Sequence, residues 1–157
     1  MSTFEAATGD GPAPPEGEGE AAQRSREVRS AFEGLLQIRR LTNRQGGDPA
    51  ASPAAWELRQ PVRAVALALE AARQPPSALD GTGARTATGY RVRAGERPGT
   101  AVVEWLGPPG SGAAHQEESA LTACAAALDR LGWDALLYRG PRRRHFLEVE
   151  PARPGEP

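Results

Sequence analysis

Residues 107–114 read GPPGSGAA, between the apolar run TAVVEWL and a stretch of helical periodicity. A Gly-x4-Gly loop joining a strand to a helix is where a P-loop cradles phosphates. That motif goes on to Gly-Lys-Ser/Thr, because the lysine ammonium reaches the outer phosphates and the hydroxyl binds magnesium. Here Ala113 and Ala114 take those places. Glu117 and Glu118 follow in what reads as the first helical turn, where negative charge complements the helix dipole and repels a phosphate. The chemistry argues against a nucleotide, so no cofactor is expected and the loop reads as a connection.

Other pairings suit hydrolysis no better. His115 and Ser119 stand four apart on the same predicted helix, but no third group orients the imidazole. Glu148 and Glu150 share one side of the last predicted strand, as paired carboxylates do in some hydrolases. Arg91, Arg93 and Glu104 are expected on that same outer face, which makes a solvated cross-strand charge mosaic the simpler reading. His115 and His145 are the only histidines and Cys124 the only cysteine, so neither a metal cage nor an internal disulfide is supported. No catalytic, cofactor or metal residue is assigned.

The stretch YRGPRRRH over 138–145 offers a different chemistry. Arg139, Arg142, Arg143 and Arg144 are the candidate anion or nucleic-acid contacts, with Tyr138 and Phe146 beside them as stacking surfaces. Two observations lower that candidate's weight. All nineteen basic residues are arginine and Ile38 and Asn43 are unique, a bias that points to GC-rich coding; and the net charge is −1, where a nucleic-acid domain carries a basic excess. On the first predicted helix, Arg26, Arg29, Arg40 and Arg44 fall within roughly 60° of one another, but Glu33 interrupts them and a solvated face is expected.

These groups need elements to position them. Val28, Ala31, Phe32, Leu35, Leu36 and Ile38 recur at helical spacing between Arg24 and Gln45, and Gly46–Gly47 ends that helix. Ser52 before Pro53 reads as a helix cap, and Pro61 breaks the pattern and restarts it. Beyond Tyr90 the period changes to two. YRVRA and TAVVEWL, joined by GERPGT, predict one hairpin, and DALLYRG with RHFLEVE predicts another whose tip is basic. Between them Leu121, Cys124, Ala125, Leu128 and Leu131 form a helical stripe closed by Gly132.

The expected fold is therefore α+β. An N-terminal segment of two or three helices precedes a strand-strand-helix-strand-strand unit, with one helix packed on a mainly antiparallel sheet. The chain divides into an acidic disordered tail over 1–22, a helical segment over 23–75, a linker over 76–89, a small α+β domain over 90–151 and a disordered tail over 152–157. Five acids and no base among Gly, Pro and Ala are the reason for the first of these. No apolar run suits a membrane span and no leader is seen, so a cytoplasmic location is expected.

The function expected from these residues is that of a small non-enzymatic binding or regulatory module with a protein partner. The alternative is association with nucleic acid through the basic tip over 139–145. A third reading is a small enzyme whose site lies between the helical segment and the sheet. Neither the partner nor the oligomeric state is written in the sequence.

Overall fold

The computed structural model describes residues 4–13, 15–44 and 46–153. Helix α1 (Glu18–Thr42) starts after Gly17, with Glu18 and Glu20 set against the positive end of its dipole. Val28, Leu35 and Arg39 are its buried residues, seven and four apart along one face. It begins six residues before the predicted Arg24 and stops at Thr42, so Arg44 stands beyond the helix and off the face expected for it; Gln45 lies outside the described residues. The side-chain amide of Asn43 donates to the carbonyls of Pro49 (2.9 Å) and Ser52 (2.8 Å), folding the exit of α1 back on the following turn.

Ser52 does not cap a helix. Asp48 takes that role for a single 3-10 turn, Pro49–Ala51, accepting the Ala50 N–H at 3.0 Å. Helix α2 (Ala55–Arg59) starts later, where the Glu57 carboxylate accepts the Ala54 N–H at 2.8 Å. A carboxylate at the third helical position satisfies a donor that the alanine side chain has no means to satisfy. Helix α3 (Pro61–Ala71) restarts at Pro61, where a fixed φ and a missing N–H do no harm. Every residue from Ala64 to Leu69 is buried, as befits a helix covered on several sides.

The stretch predicted as a linker carries a small antiparallel ribbon, β1 (Ala78–Leu79) with β2 (Arg85–Ala87). Asp80 tightens its turn by accepting the N–H groups of Thr82 and Ala84 and the Thr82 hydroxyl. The main sheet follows in the expected order: β3 (Gly89–Ala94), β4 (Ala101–Leu106), helix α4 (Ala113–Asp129), β5 (Trp133–Arg139) and β6 (His145–Pro151). Its four strands lie β3-β4-β6-β5, antiparallel throughout. Chain order and sheet order differ because α4 carries the chain across to the far edge, and β6 then returns between β4 and β5.

Strand alternation divides the sheet into two faces. Tyr90, Val92, Ala101, Val103, Trp105, Trp133, Leu147 and Val149 point inward, where they share one core with Ala64, Val65 and Leu69 of α3 and Leu121, Cys124 and Leu128 of α4. The helical segment therefore packs on the sheet. A smaller cluster of Val28, Leu35 and Leu67 joins α1 to α3.

Composition predicts a disordered acidic tail at the N-terminus, yet residues 4–13 lie along β3 and residues 18–22 belong to α1. Thr8 accepts the Val92 N–H at 2.7 Å, Gly11 accepts the Leu79 N–H at 2.9 Å, and the Tyr90 hydroxyl donates to the Ala7 carbonyl at 2.8 Å. Asp10 meets Arg85 at 2.6 Å and Arg91 at 3.0 Å. Gly9, with φ +99°, passes so close to Tyr90 and Arg91 that a Cβ would collide with their backbone. A segment too polar to build its own core is held here by groups that the sheet supplies. At the other end, Ala152 donates to the Gly132 carbonyl at 2.9 Å, and residues 154–157 lie outside the described residues.

Candidate binding surface on the last hairpin

The predicted basic tip is the turn between β5 and β6. Arg142 and Arg143 both have φ 61°, a left-handed conformation that costs energy in residues with a Cβ. The Gly140 N–H donates to the Arg144 carbonyl at 2.7 Å and closes the turn. Glu117 of α4 anchors it from below. Its Oε1 accepts the His145 backbone N–H at 2.7 Å and lies 2.9 Å from His145 Nδ1, while Oε2 lies 3.4 Å from Arg144 Nε.

Glu117 thus has a different place from the one predicted. The helix starts at Ala113, so Glu117 falls in its second turn and is buried. It holds the hairpin instead of facing solvent beside the glycine loop. Among the four predicted contact residues the structure draws a distinction. All four are exposed, but Arg144 contacts Glu117 and the Trp105 carbonyl, whereas Arg139, Arg142 and Arg143 form no ion pair among the described residues.

The rings of Tyr138 and Phe146 stack at 5.8 Å with an interplanar angle of 24° on the outer face, the one away from the helices. Leu136, two residues before Tyr138, shares that face and is 50% exposed; Tyr138 is 42% exposed. Period-two spacing put this apolar strip in the sequence, since Asp134, Leu136 and Tyr138 must share a side once Trp133 points inward. Elsewhere the outer face is the expected charge mosaic, with Arg91 and Arg93 on Glu104 at 3.0 and 3.3 Å and Arg97 on Glu150 at 2.7 Å.

The two edges of the sheet differ in the same direction. Edge strand β3 is covered: besides Thr8, the Pro75 carbonyl accepts the Tyr90 N–H and Ser77 donates back to the Tyr90 carbonyl, both at 2.9 Å. Edge strand β5 has no neighbour on its outer side among the described residues. Its ladder to β6 is bracketed by the Gly140 to Arg144 and Ala152 to Gly132 bonds, so even-numbered residues face β6. By antiparallel alternation, the backbone groups of Trp133, Ala135, Leu137 and Arg139 point outward.

The remaining sequence candidates are not brought together. His115 and Ser119 are exposed, with no hydrogen bond between them among the described residues. The space between helices and sheet is filled by Val65, Leu69, Tyr90, Leu121 and Leu128. Burial pushes the Cys124 thiol up to about 12, far from the range of a reactive thiolate.

One ionic site escaped sequence reading. Arg39 and Glu57 are both buried and meet through two 2.7 Å bonds, and Arg39 Nη1 also donates to the carbonyls of Ala50 (2.9 Å) and Leu131 (2.8 Å). Its sequence signal was Arg39 continuing the stripe of Val28 and Leu35. Comparison of the chain with family models, with curated proteins and with solved structures found no match.

Proposed function

We propose that the chain is a small non-enzymatic binding module, acting in the cytoplasm, whose contact surface is the β5–β6 hairpin and whose ligand is an acidic protein surface. One observation carries this reading. Among the described residues, the hairpin sets an uncovered strand edge, an exposed apolar strip and three arginines without ion pairs side by side, whereas the opposite edge is covered by the chain itself. An exposed edge offers main-chain hydrogen bonds, the apolar strip offers contact area and the arginines offer charge steering.

The test is fluorescence anisotropy with labelled poly-glutamate, duplex DNA and single-stranded RNA at low and physiological salt. The acidic peptide should bind, and changing Arg142 and Arg143 together to alanine should abolish binding without moving the melting temperature. Failure of the acidic peptide to bind at low salt would remove the reading.

A second reading rests on the stacked Tyr138 and Phe146 beside the arginines, which suits a base between phosphates. Submicromolar nucleic-acid affinity at physiological salt, with a log–log salt slope near −3 as about three phosphate contacts would give, favours it over the first.

A further inference from the structure

Strand β5 is complementary to itself. Its outward backbone groups belong to Trp133, Ala135, Leu137 and Arg139, and its apolar outer-face residue, Leu136, sits at the centre of that set. We propose that the acidic surface taken by the hairpin is a second copy of this chain, with the two β5 edges paired antiparallel about a two-fold axis through Leu136 to give a continuous eight-stranded sheet. This rests on the reading of the hairpin as the binding surface and names its partner.

The register follows from the hydrogen bonds. Centring the axis on Leu136 pairs Trp133 with Arg139 of the second copy and Ala135 with Leu137, so all four outward residues of each strand are used. Centring it on Ala135 or Leu137 leaves an outward residue at one end unpaired. With Leu136 at the centre, the two leucines face each other at a non-hydrogen-bonded position, where paired side chains come closest. An even shift also keeps faces matched, so the helices of both copies stay on one side of the sheet and the Leu136–Tyr138 strips merge on the other.

Charge agrees with this arrangement. The turn end of the hairpin carries Arg139, Arg142 and Arg143, and the opposite end carries exposed Asp129 and Asp134, with Arg130 and Arg153 as neighbouring bases. Neither acid has an ion pair among the described residues, while nearby Glu150 is already held by Arg97. Antiparallel pairing lays each arginine-bearing turn toward Asp129 and Asp134 of the other copy. A two-fold interface makes that contact twice.

Sedimentation velocity on the full chain across micromolar concentrations tests the proposal. The wild type should sediment at twice the chain mass. Leu136→Asp should sediment as a monomer, with near-native circular dichroism establishing that it folds. The decisive experiment uses two charge reversals, Arg142→Glu with Arg143→Glu in one variant and Asp129→Arg with Asp134→Arg in another. Each alone should raise the dimer dissociation constant by about 100-fold, from like charges facing each other. Mixed, they should recover the dimer mass, because each basic or reversed end then meets its complement. A wild type that stays monomeric to about 100 μM, far above the affinity expected of a stable pair, overturns the proposal. So does a mixture that fails to recover the dimer. A monomer that still binds poly-glutamate through Arg142 and Arg143 separates this failure from failure of the binding-module reading.

Discussion

Strands β3 and β5 occupy equivalent positions at the two edges of one sheet, and the chain treats them in opposite ways. Beside β3 lie the segment around Thr8 and the segment Pro75–Ser77, which take up the outward hydrogen bonds of Tyr90 and of the Val92 N–H, and Asp10 binds Arg91 on its outer face. Along β5 there is no such cover among the described residues, and its exposed positions include two leucines and a tyrosine. Proteins ordinarily blunt an exposed edge with charge, proline or a bulge. The difference teaches that the chain around Thr8 completes one edge of the sheet by hydrogen bonding, and it is the contrast on which the proposed binding surface rests.

If stability resides in the packed interior and not in the exposed side chains of β5, perturbations of the interior should be large and perturbations on the outer face of β5 small. Glu57→Gln should have the largest effect. It leaves the Arg39 charge buried without its counterion, and truncated buried pairs cost about 3–5 kcal/mol. Urea denaturation followed by circular dichroism would measure it. Leu128→Ala, which hollows the core between α4 and the sheet, should cost about 2–5 kcal/mol by the same measurement. An unchanged melting temperature for Leu128→Ala would contradict its place in the core.

Tyr90→Phe sharpens the comparison at the covered edge. It removes the hydroxyl bound to the Ala7 carbonyl and should cost about 1–2 kcal/mol, accompanied by faster amide exchange in residues 6–11. Burial pushes the Tyr90 phenol above its ordinary range, so alkaline pH should not ionise it before the protein unfolds.

Acid should loosen the same edge to a smaller extent. Partial burial raises the Asp10 pKa, but hydrogen bonds from Arg85 and Arg91 outweigh it and hold the carboxyl below its usual value of 3.8. A folded pKa below the unfolded one means that Asp10 contributes stability above about pH 4, lost as pH falls through the lower folded value. Asp10→Asn should therefore flatten the stability profile at the acid end, as thermal melts at several pH values would show. The smallest effect belongs to the open edge. Leu136→Ser should leave the melting temperature of the monomer almost unchanged, since its side chain is half exposed.

The two halves were also unequally legible from sequence. From Tyr90 onward, alternation at period two and the stripe of Leu121, Cys124 and Leu128 gave the strands, the helix and the basic turn, because those patterns answer directly to one buried face. The N-terminal segment was misread because its order comes from partners about 80 residues away. Composition reports whether a segment can bury its own apolar surface, and says nothing of an edge that accepts its hydrogen bonds. Ser52 misled for a related reason: Asp48 and Glu57 satisfy the nearby donors from either side. The site was legible only in part. The arginines could be placed on the turn, but the contact of Arg144 with Glu117 depends on the burial of Glu117, which shows only when α4 is docked against β6.

Arg39 also carries a consequence for kinetics. Its guanidinium ties α1 to Glu57, to the turn at Ala50 and, across 92 residues of chain, to the carbonyl of Leu131 at the exit of α4. Stripping water from that charge is favourable only once all its acceptors have assembled, which predicts that the arrangement forms late, beyond the folding barrier. A contact absent from the transition state governs escape from the native state more than arrival in it. Weakening the Arg39 site should therefore hasten unfolding while leaving refolding nearly as fast, which makes this pair a latch on the lifetime of the folded chain.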